Sequence, residues 1–219
     1  MTFNIIKYNE ILRQIKENKK KNPVNTDIIA ISKNHNSESI KEAINCGLRQ
    51  FGENRVQEAI SKFTKLKLEN NEIILHLTGS LQTNKVKDAI KIFDVFHTLD
   101  REKLAKEFKK SLPPTSSHKF FIQVNTGFES QKSGILPKHA DDFIKYCINE
   151  LNLSIMGLMC IPPIQEDPIN HFQNLRHIAI KHKLKYLSMG MSADYEQAIK
   201  CGATHIRIGT LLFGKRLKQ

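Results

Sequence analysis

The sequence has few of the features that indicate a metal centre or a disulfide framework. Its 219 residues include 4 cysteines, which form no CxxC pair, so neither a structural zinc site nor a disulfide-stapled fold is predicted. The histidines and carboxylates also show no metal-ligand spacing. We therefore expect reduced thiols and no metal.

Long apolar runs are missing as well. No stretch approaches the length needed to span a bilayer, and the first residues lack a basic segment followed by a sustained apolar one. These absences predict a cytoplasmic protein that does not associate with membranes.

Aromatic residues make up 7% of the sequence and are not interleaved with a basic stripe, although the net charge is +12. A basic protein can bind nucleic acid, but a stacking platform needs aromatic rings beside the basic side chains. Lysines instead recur through nearly every predicted helix, with one short cluster at residues 19–21. We interpret the charge as a solvated lysine-rich surface. A nucleic-acid-binding module stays open as an alternative that rests on charge alone.

Strand and helix patterns alternate along the chain. An amphipathic helix over residues 5–16 comes first, and Asn22-Pro23 ends it. Helical segments then separate eight predicted strands, and Ser37 is the predicted N-cap of the helix after the first one. The strands are predicted at residues 28–33, 50–53, 72–78, 95–99, 120–125, 154–161, 186–189 and 205–208.

Such alternation predicts an α/β fold with parallel strands joined by right-handed crossovers. The simplest closed arrangement is a single (β/α)8 TIM-type barrel with an extra N-terminal helix, and an open doubly wound sheet is the alternative. No linker is present, so residues 1–219 are expected to form one domain. A short match between residues 43–47 and 198–202 is explained by shared helix-to-strand turn chemistry.

In a barrel of this kind, chemistry is expected at the C-terminal ends of the strands. Lys33 ends the first predicted strand, either as an ordinary solvated residue or as a Schiff-base lysine with a nucleophilic amine. After the last two strands, Gly190 and Gly209 stand close to the hydroxyls of Ser192 and Thr210. Glycines that admit backbone N–H groups, hydroxyl donors and a helix N-terminus together are typical of phosphate binding.

Arg207 precedes Gly209 by two residues, so strand alternation points both into the mouth of the barrel. A lysine, a phosphate cradle and an interior arginine suit pyridoxal 5′-phosphate (PLP), with its aldehyde on Lys33 and its ring nitrogen near Arg207. Because a guanidinium only donates hydrogen bonds, the ring nitrogen would stay unprotonated, which restrains carbanion chemistry. His76 lies inside an apolar run and fits a satisfied core histidine as well as a site residue.

Several segments resemble the signature blocks of the pyridoxal phosphate homeostasis protein family, which is similar to the N-terminal barrel of alanine racemase. The segments are residues 29–33, 51–58, 76–85, 130–134, 157–159, 187–192 and 207–210. The resemblance implies that PLP is held as an internal aldimine on Lys33, for cofactor buffering without a committed catalytic activity. It also implies PLP-dependent apoenzymes as candidate partners.

The same resemblance implies roles for other residues around the cofactor. Arg207 would meet the pyridine nitrogen, and Asn54 and His76 would line the ring pocket. The phosphate would be held by Ser192, Gly209, Thr210 and a turn at Met189-Gly190. Where the family usually has a threonine and a second lysine after Lys33, this sequence has Asn34 and His35, so a transfer-site lysine there is not expected.

A PLP-dependent racemase is the alternative function. Two-sided proton transfer needs a base on each face of the external aldimine. Lys33 could serve one face, but the racemases supply the other base from a C-terminal β-domain, and this sequence ends at Gln219, soon after the eighth strand. We therefore expect no catalytic residues, and a monomer whose main partner is the cofactor.

Overall fold

Eight parallel strands close into a barrel in a computed structural model, which describes residues 3–20, 23–129 and 131–214. The strands are β1 (Asp27–Ile31), β2 (Gln50–Glu53), β3 (Ile74–Leu77), β4 (Val95–Leu99), β5 (Lys119–Gln123), β6 (Ile155–Met159), β7 (Tyr186–Met191) and β8 (His205–Ile208). Their order around the barrel follows the chain, and β1 pairs with β8 to close the ring. The predicted barrel is confirmed, and the open doubly wound sheet is wrong.

Helices cover the outside of the barrel. They are α1 (Ile5–Lys19), α2 (Ser37–Asn45), α3 (Val56–Glu69), α4 (Val86–Ala89), α5 (Glu102–Ser111), α6 (Pro137–Lys145), α7 (Pro168–Lys181), α8 (Tyr195–Lys200) and α9 (Thr210–Phe213). A 3₁₀ turn (Thr83–Lys85) precedes α4, and a π-helical turn (Tyr146–Glu150) extends α6. The extra N-terminal helix, α1, packs against α8 and α9.

Several local predictions differ from the structure. Strands β1, β5 and β6 each end two residues before their predicted ends, at Ile31, Gln123 and Met159, so Lys33 follows β1 and does not end it. The N-cap of α2 is Asn36, whose side chain accepts the Ser39 N–H at 3.0 Å, and Ser37 is the first helical residue. Strand β7 continues to Met191, two residues beyond its predicted end, through an irregularity in its pairing with β8. Lys21 of the lysine cluster, Asn22 of the predicted helix break and Ser130 of the fourth family-like segment lie outside the described residues.

The main hydrophobic core lies between the strands and the helices. Leu75 and Leu77 of β3 belong to it, together with Phe63 of α3 and Phe108 of α5, and all four are buried. A smaller apolar cluster of Val95, Phe121 and Met159 is separate from this core. Within the described residues, no helix is both long and apolar enough to cross a membrane.

Three histidines from three strands cluster together, although the strands are largely apolar in sequence. His76, His97 and His205 are all buried, and their rings lie 5.1–6.4 Å apart between centroids. Nδ1 of His76 is 2.9 Å from Nε2 of His97. The other ring nitrogen of His76, Nε2, is buried and has no hydrogen-bond partner among the described residues. Burial lowers the pKa of His76 and of His97 well below the ordinary value.

We predict that His205 makes the stability of the fold depend on pH. Burial lowers its pKa to about 4, with Asp27 opposing the shift and Arg207 adding to it. The unfolded chain takes up this proton near pH 6.5, so stability is present above that value and is lost as the pH falls towards 4. His205→Gln should remove up to roughly 3 kcal/mol of this loss.

Urea unfolding at several pH values between 7 and 4.5 measures the effect. His139→Gln, at an exposed position, is the matched control, and its unfolding free energy should depend on pH as in the wild type. If the unfolding free energy of His205→Gln also changes with pH as in the wild type, His205 does not contribute in this way.

Candidate cofactor-binding site

The closure of the barrel brings the two ends of the sequence together at one cavity. Ile29 of β1 is in register with Arg207 of β8, and Ala30 with Ile208. Lys33 follows β1 by two residues and Gly209 follows β8 directly, so both lie at the C-terminal end of the same strand pair. Here the seam between β1 and β8 opens into a cavity of about 290 Å³.

Six residues singled out from the sequence line this cavity, namely Lys33, Asn54, Ser192, Arg207, Gly209 and Thr210. Sequence reasoning missed the remaining lining residues, Ile31, Thr78, Ile161, Met191 and Ala193. Met191 and Ala193 flank Ser192, and Ile31 and Thr78 lie within or just beyond strands that were predicted. Their closeness in sequence to predicted site residues or strand ends was therefore the signal that could have identified them as lining residues.

Arg207 is a buried cation without a carboxylate partner among the described residues. It is 4% exposed, and its guanidinium donates to Oγ of Ser188 at 2.7 Å and to the carbonyl of Cys160 at 2.8 Å. Both acceptors, a hydroxyl and a backbone carbonyl, are uncharged. Burial lowers the pKa of Arg207, but a guanidinium stays protonated in proteins. A buried cation of this kind favours an electron-rich group in the cavity that it lines.

Asn54 is held at the cavity by the neighbouring strand. Its side-chain Oδ1 accepts a hydrogen bond from the hydroxyl of Thr78 at 3.0 Å. Gly79 packs directly on Asn54, because a Cβ at Gly79 would stand 2.4 Å from the Asn54 carbonyl oxygen. The block of sequence after β3 therefore positions Asn54 by close backbone approach.

The opposite wall consists of the segments that follow β7 and β8. Gly209 is the N-cap of α9 and Thr210 its first residue, so the first N–H groups of α9 have no partner within that helix. Ser192 lies in the turn between β7 and α8 and is half-buried. Backbone N–H groups beside hydroxyls suit a phosphate group here.

Three predicted residues do not line this cavity. Met189 is fully buried and belongs to the main hydrophobic core, and Gly190 lies within β7. The turn predicted at these two residues lies instead after Met191, because β7 is longer than expected. His76 is buried with His97 in the histidine cluster.

Within the described part of the chain, no group of three or more histidine, cysteine, aspartate or glutamate side chains could hold a metal ion. The residues around the cavity suit an organic anion better, because they combine one amine, one guanidinium and several hydroxyl and amide groups.

Comparisons with known proteins agree with the fold. Residues 6–216 match the family model described as alanine racemase, N-terminal domain. Alanine racemase of Clostridium difficile 630 shares the fold, with a TM-score of 0.72 at 14% identity over 100% of this chain and 59% of that one. The protein class defined by the barrel is thus that of alanine racemase N-terminal domains.

Closer relatives narrow the class. The pyridoxal phosphate homeostasis protein of Aquifex aeolicus (strain VF5) is 40% identical over 199 residues, which are 86% of each chain. PipY of Synechococcus elongatus PCC7942, solved with PLP bound, has a TM-score of 0.78 at 32% identity and covers 92% of this chain and 99% of its own. The chain belongs to the pyridoxal phosphate homeostasis protein family, as its sequence predicts.

We predict that Gly190 is needed for packing of β7 against α8. Its φ is +91°, and a Cβ there would stand 2.5 Å from the Cβ of Ala198. Gly47, after α2, has φ +90° but open space around it, which makes Gly47→Ala a matched control for backbone strain alone. Gly47→Ala should cost about 1 kcal/mol of unfolding free energy, and Gly190→Ala about 2–4 kcal/mol because the clash adds to the strain. Equal costs in urea unfolding would contradict the packing role.

Proposed function

We propose that this chain binds PLP in the cavity between Lys33 and Arg207 and serves intracellular vitamin B6 homeostasis, without a committed catalytic activity. The observation that carries the proposal is that a lysine, a buried arginine and the segments after β7 and β8 line one cavity. The volume, about 290 Å³, is at the lower end of ligand pockets and suits a single ring with a phosphate arm. The PLP-bound relative PipY supports the same ligand.

The predicted site residues have different roles in binding PLP. Lys33 supplies the amine that tethers the cofactor, and Arg207 donates a hydrogen bond to the ring nitrogen. Asn54 lies beside the ring. The phosphate is assigned to Ser192, Gly209 and Thr210, with Met189 and Gly190 supporting this wall from within β7. His76 does not line the cavity, and its part is indirect, through the hydrogen bonds that join it by way of His97 and Ser188 to Arg207.

When bound, PLP supplies an aldehyde that bonds reversibly to an amine and a ring that can withdraw electrons. Arg207 limits the second property. Its guanidinium can only donate, so a ring nitrogen facing it accepts an N–H and is not protonated. The hydrogen bonds to Ser188 and Cys160 hold the guanidinium in place for this contact.

A binding role is favoured over catalysis by the chemistry of the cavity walls. Among the described residues that line the cavity, the ionisable side chains are those of Lys33 and Arg207. Because an arginine is not deprotonated in proteins, Arg207 cannot serve as a base. We propose that Lys33 is a reversible tether for the cofactor and not one of two bases. We further propose a single-domain monomer in the cytoplasm whose cofactor passes to PLP-dependent apoenzymes.

We predict that Lys33→Ala abolishes covalent capture of PLP. Wild-type protein mixed with PLP should show an absorbance spectrum different from that of free PLP, and borohydride should fix the cofactor to the peptide that contains Lys33. Lys33→Ala should show neither, and its affinity should fall at least about tenfold, or 1.4 kcal/mol.

Peptide mass spectrometry after reduction identifies the labelled lysine. Lys103→Ala, at an exposed position on α5, is the control and should be labelled like wild type. Wild-type protein that stays colourless after reconstitution would contradict the proposal, and turnover of alanine would restore the racemase alternative.

We predict that Arg207→Glu changes the absorbance spectrum of bound PLP, because a carboxyl group can accept or share a proton at the ring nitrogen. Arg207→Lys keeps a donor-only cation and should stay closer to the wild-type spectrum. Circular dichroism checks that both variants fold. If neither variant changes the spectrum, Arg207 does not contact the ring nitrogen.

A further inference from the structure

A partly buried ion-pair cluster lies next to the turn that carries Lys33. Nζ of Lys62 is 3.0 Å from Oε1 of Glu53 and 2.6 Å from Oε1 of Glu58. Lys62 and Glu58 are one helical turn apart on α3, whereas Glu53 ends β2. The Glu53 side chain is 0% exposed and that of Lys62 is 12% exposed, so this cluster is unlike the solvated lysines of the surface.

The cluster contacts the backbone on both sides of Lys33. Nζ of Lys62 donates to the carbonyl oxygen of Ser32 at 2.8 Å, and the Ser32 hydroxyl donates to Oε1 of Glu53 at 2.7 Å. On the other side, the N–H of Asn34 donates to Oε1 of Glu58 at 2.5 Å. Ser32 is therefore hydrogen-bonded to Lys62 and Glu53, and Asn34 to Glu58, so the residues on both sides of Lys33 contact one ion-pair cluster.

The turn is tight. Asn34 has φ +62°, in the left-handed region that asparagine adopts more readily than most residues other than glycine, and the N–H of His35 closes the turn onto the Ser32 carbonyl at 3.1 Å. Lys33 occupies the position between the two fastened residues. A change in the turn would therefore redirect the Lys33 side chain relative to the cavity.

The charges of the cluster depend on one another. Burial raises the pKa of Glu53, and Lys62 opposes that rise. Hydrogen bonds from Lys62 and from the Asn34 N–H lower the pKa of Glu58 although burial raises it. Loss of Lys62 would leave a buried carboxylate without its cation, which is costly unless that carboxylate takes up a proton.

We propose that Lys62 is a positioning residue, which with Glu53 and Glu58 clamps the turn at residues 32–34 so that Lys33 points into the cofactor cavity. The inference rests on the proposed function, because it concerns the residue assigned to tether PLP. Lys62 does not line that cavity. It lines a larger groove of about 930 Å³ that also includes Asn54, so its effect on the cofactor is indirect, and the turn is the route that we propose.

Lys62→Met removes the contact to Ser32 while keeping the aliphatic length of the side chain. Lys65→Met is the matched control, since Lys65 lies on the same helix with its side chain 82% exposed. The double variant Glu53→Gln/Lys62→Met also removes the stranded carboxylate. It therefore tests the clamp even if Lys62→Met does not fold.

The first measurement is amide hydrogen exchange in protein without PLP. In Lys62→Met and in the double variant, exchange at the amides of Asn34 and His35 should rise at least tenfold, while the amides of β1 and α3 keep wild-type rates. Lys65→Met should match wild type throughout. Unchanged exchange at Asn34 and His35 would overturn the clamp.

The second measurement is PLP binding by the same proteins. The dissociation constant should rise at least tenfold in both Lys62 variants, and borohydride trapping at Lys33 should slow, with no change for Lys65→Met. Faster exchange with unchanged PLP affinity and trapping would overturn the positioning role. If wild type binds no PLP, the proposed function and the positioning role both fail, while the exchange data still show separately whether the cluster holds the turn.

Discussion

The pairing of β1 with β8 is the interaction on which the rest of this molecule depends. It joins strands that are far apart in sequence, with Ile29 opposite Arg207 and Ala30 opposite Ile208. Without this pairing the sheet would have two open edges, and Lys33 and Gly209 would lie at opposite ends of it. Closure gives one cavity at the seam, and the backbone hydrogen bonds between the two strands fix its dimensions.

A connected polar interior lies alongside this cavity. Arg207 donates to Ser188, whose hydroxyl lies 2.8 Å from His97, and His97 in turn contacts His76. Because a guanidinium can only donate, the Ser188 hydroxyl must accept the hydrogen bond from Arg207. This bond fixes the direction of the first hydrogen bond in the series. The interior thus holds Arg207 through neutral partners, which leaves its positive charge directed at the cavity.

Behind Lys33 the fold uses charge differently. Lys62, Glu53 and Glu58 compensate one another, and their hydrogen bonds extend to the backbone of Ser32 and Asn34. The two cations at the seam are therefore held in different ways. Arg207 lies on β8 and is hydrogen-bonded to Ser188 and Cys160, whereas Lys33 lies in a turn that is hydrogen-bonded to the side chains of α3. A lysine held in this way is consistent with the proposed role of Lys33 as a reversible tether for PLP.

The sequence by itself determined the eight alternating units and the polar residues near the C-terminal ends of β1 and β8, because these depend on local periodicity and on glycine and hydroxyl positions. It left a barrel and an open sheet as alternatives, and closure of the sheet decided between them. Lys33, Ser192, Arg207, Gly209 and Thr210 were predicted at one site from the residues, the family resemblance added Asn54, and all six line one cavity. Tertiary structure decided the rest. Strand β7 is longer than predicted and includes Gly190. His76 lies within hydrogen-bond distance of His97, and Lys62 of α3 donates a hydrogen bond to the Ser32 carbonyl after β1. Side-chain contacts between distant segments, and irregularities of register such as the one between β7 and β8, depend on how the whole barrel packs, so a pattern read along one segment does not reveal them.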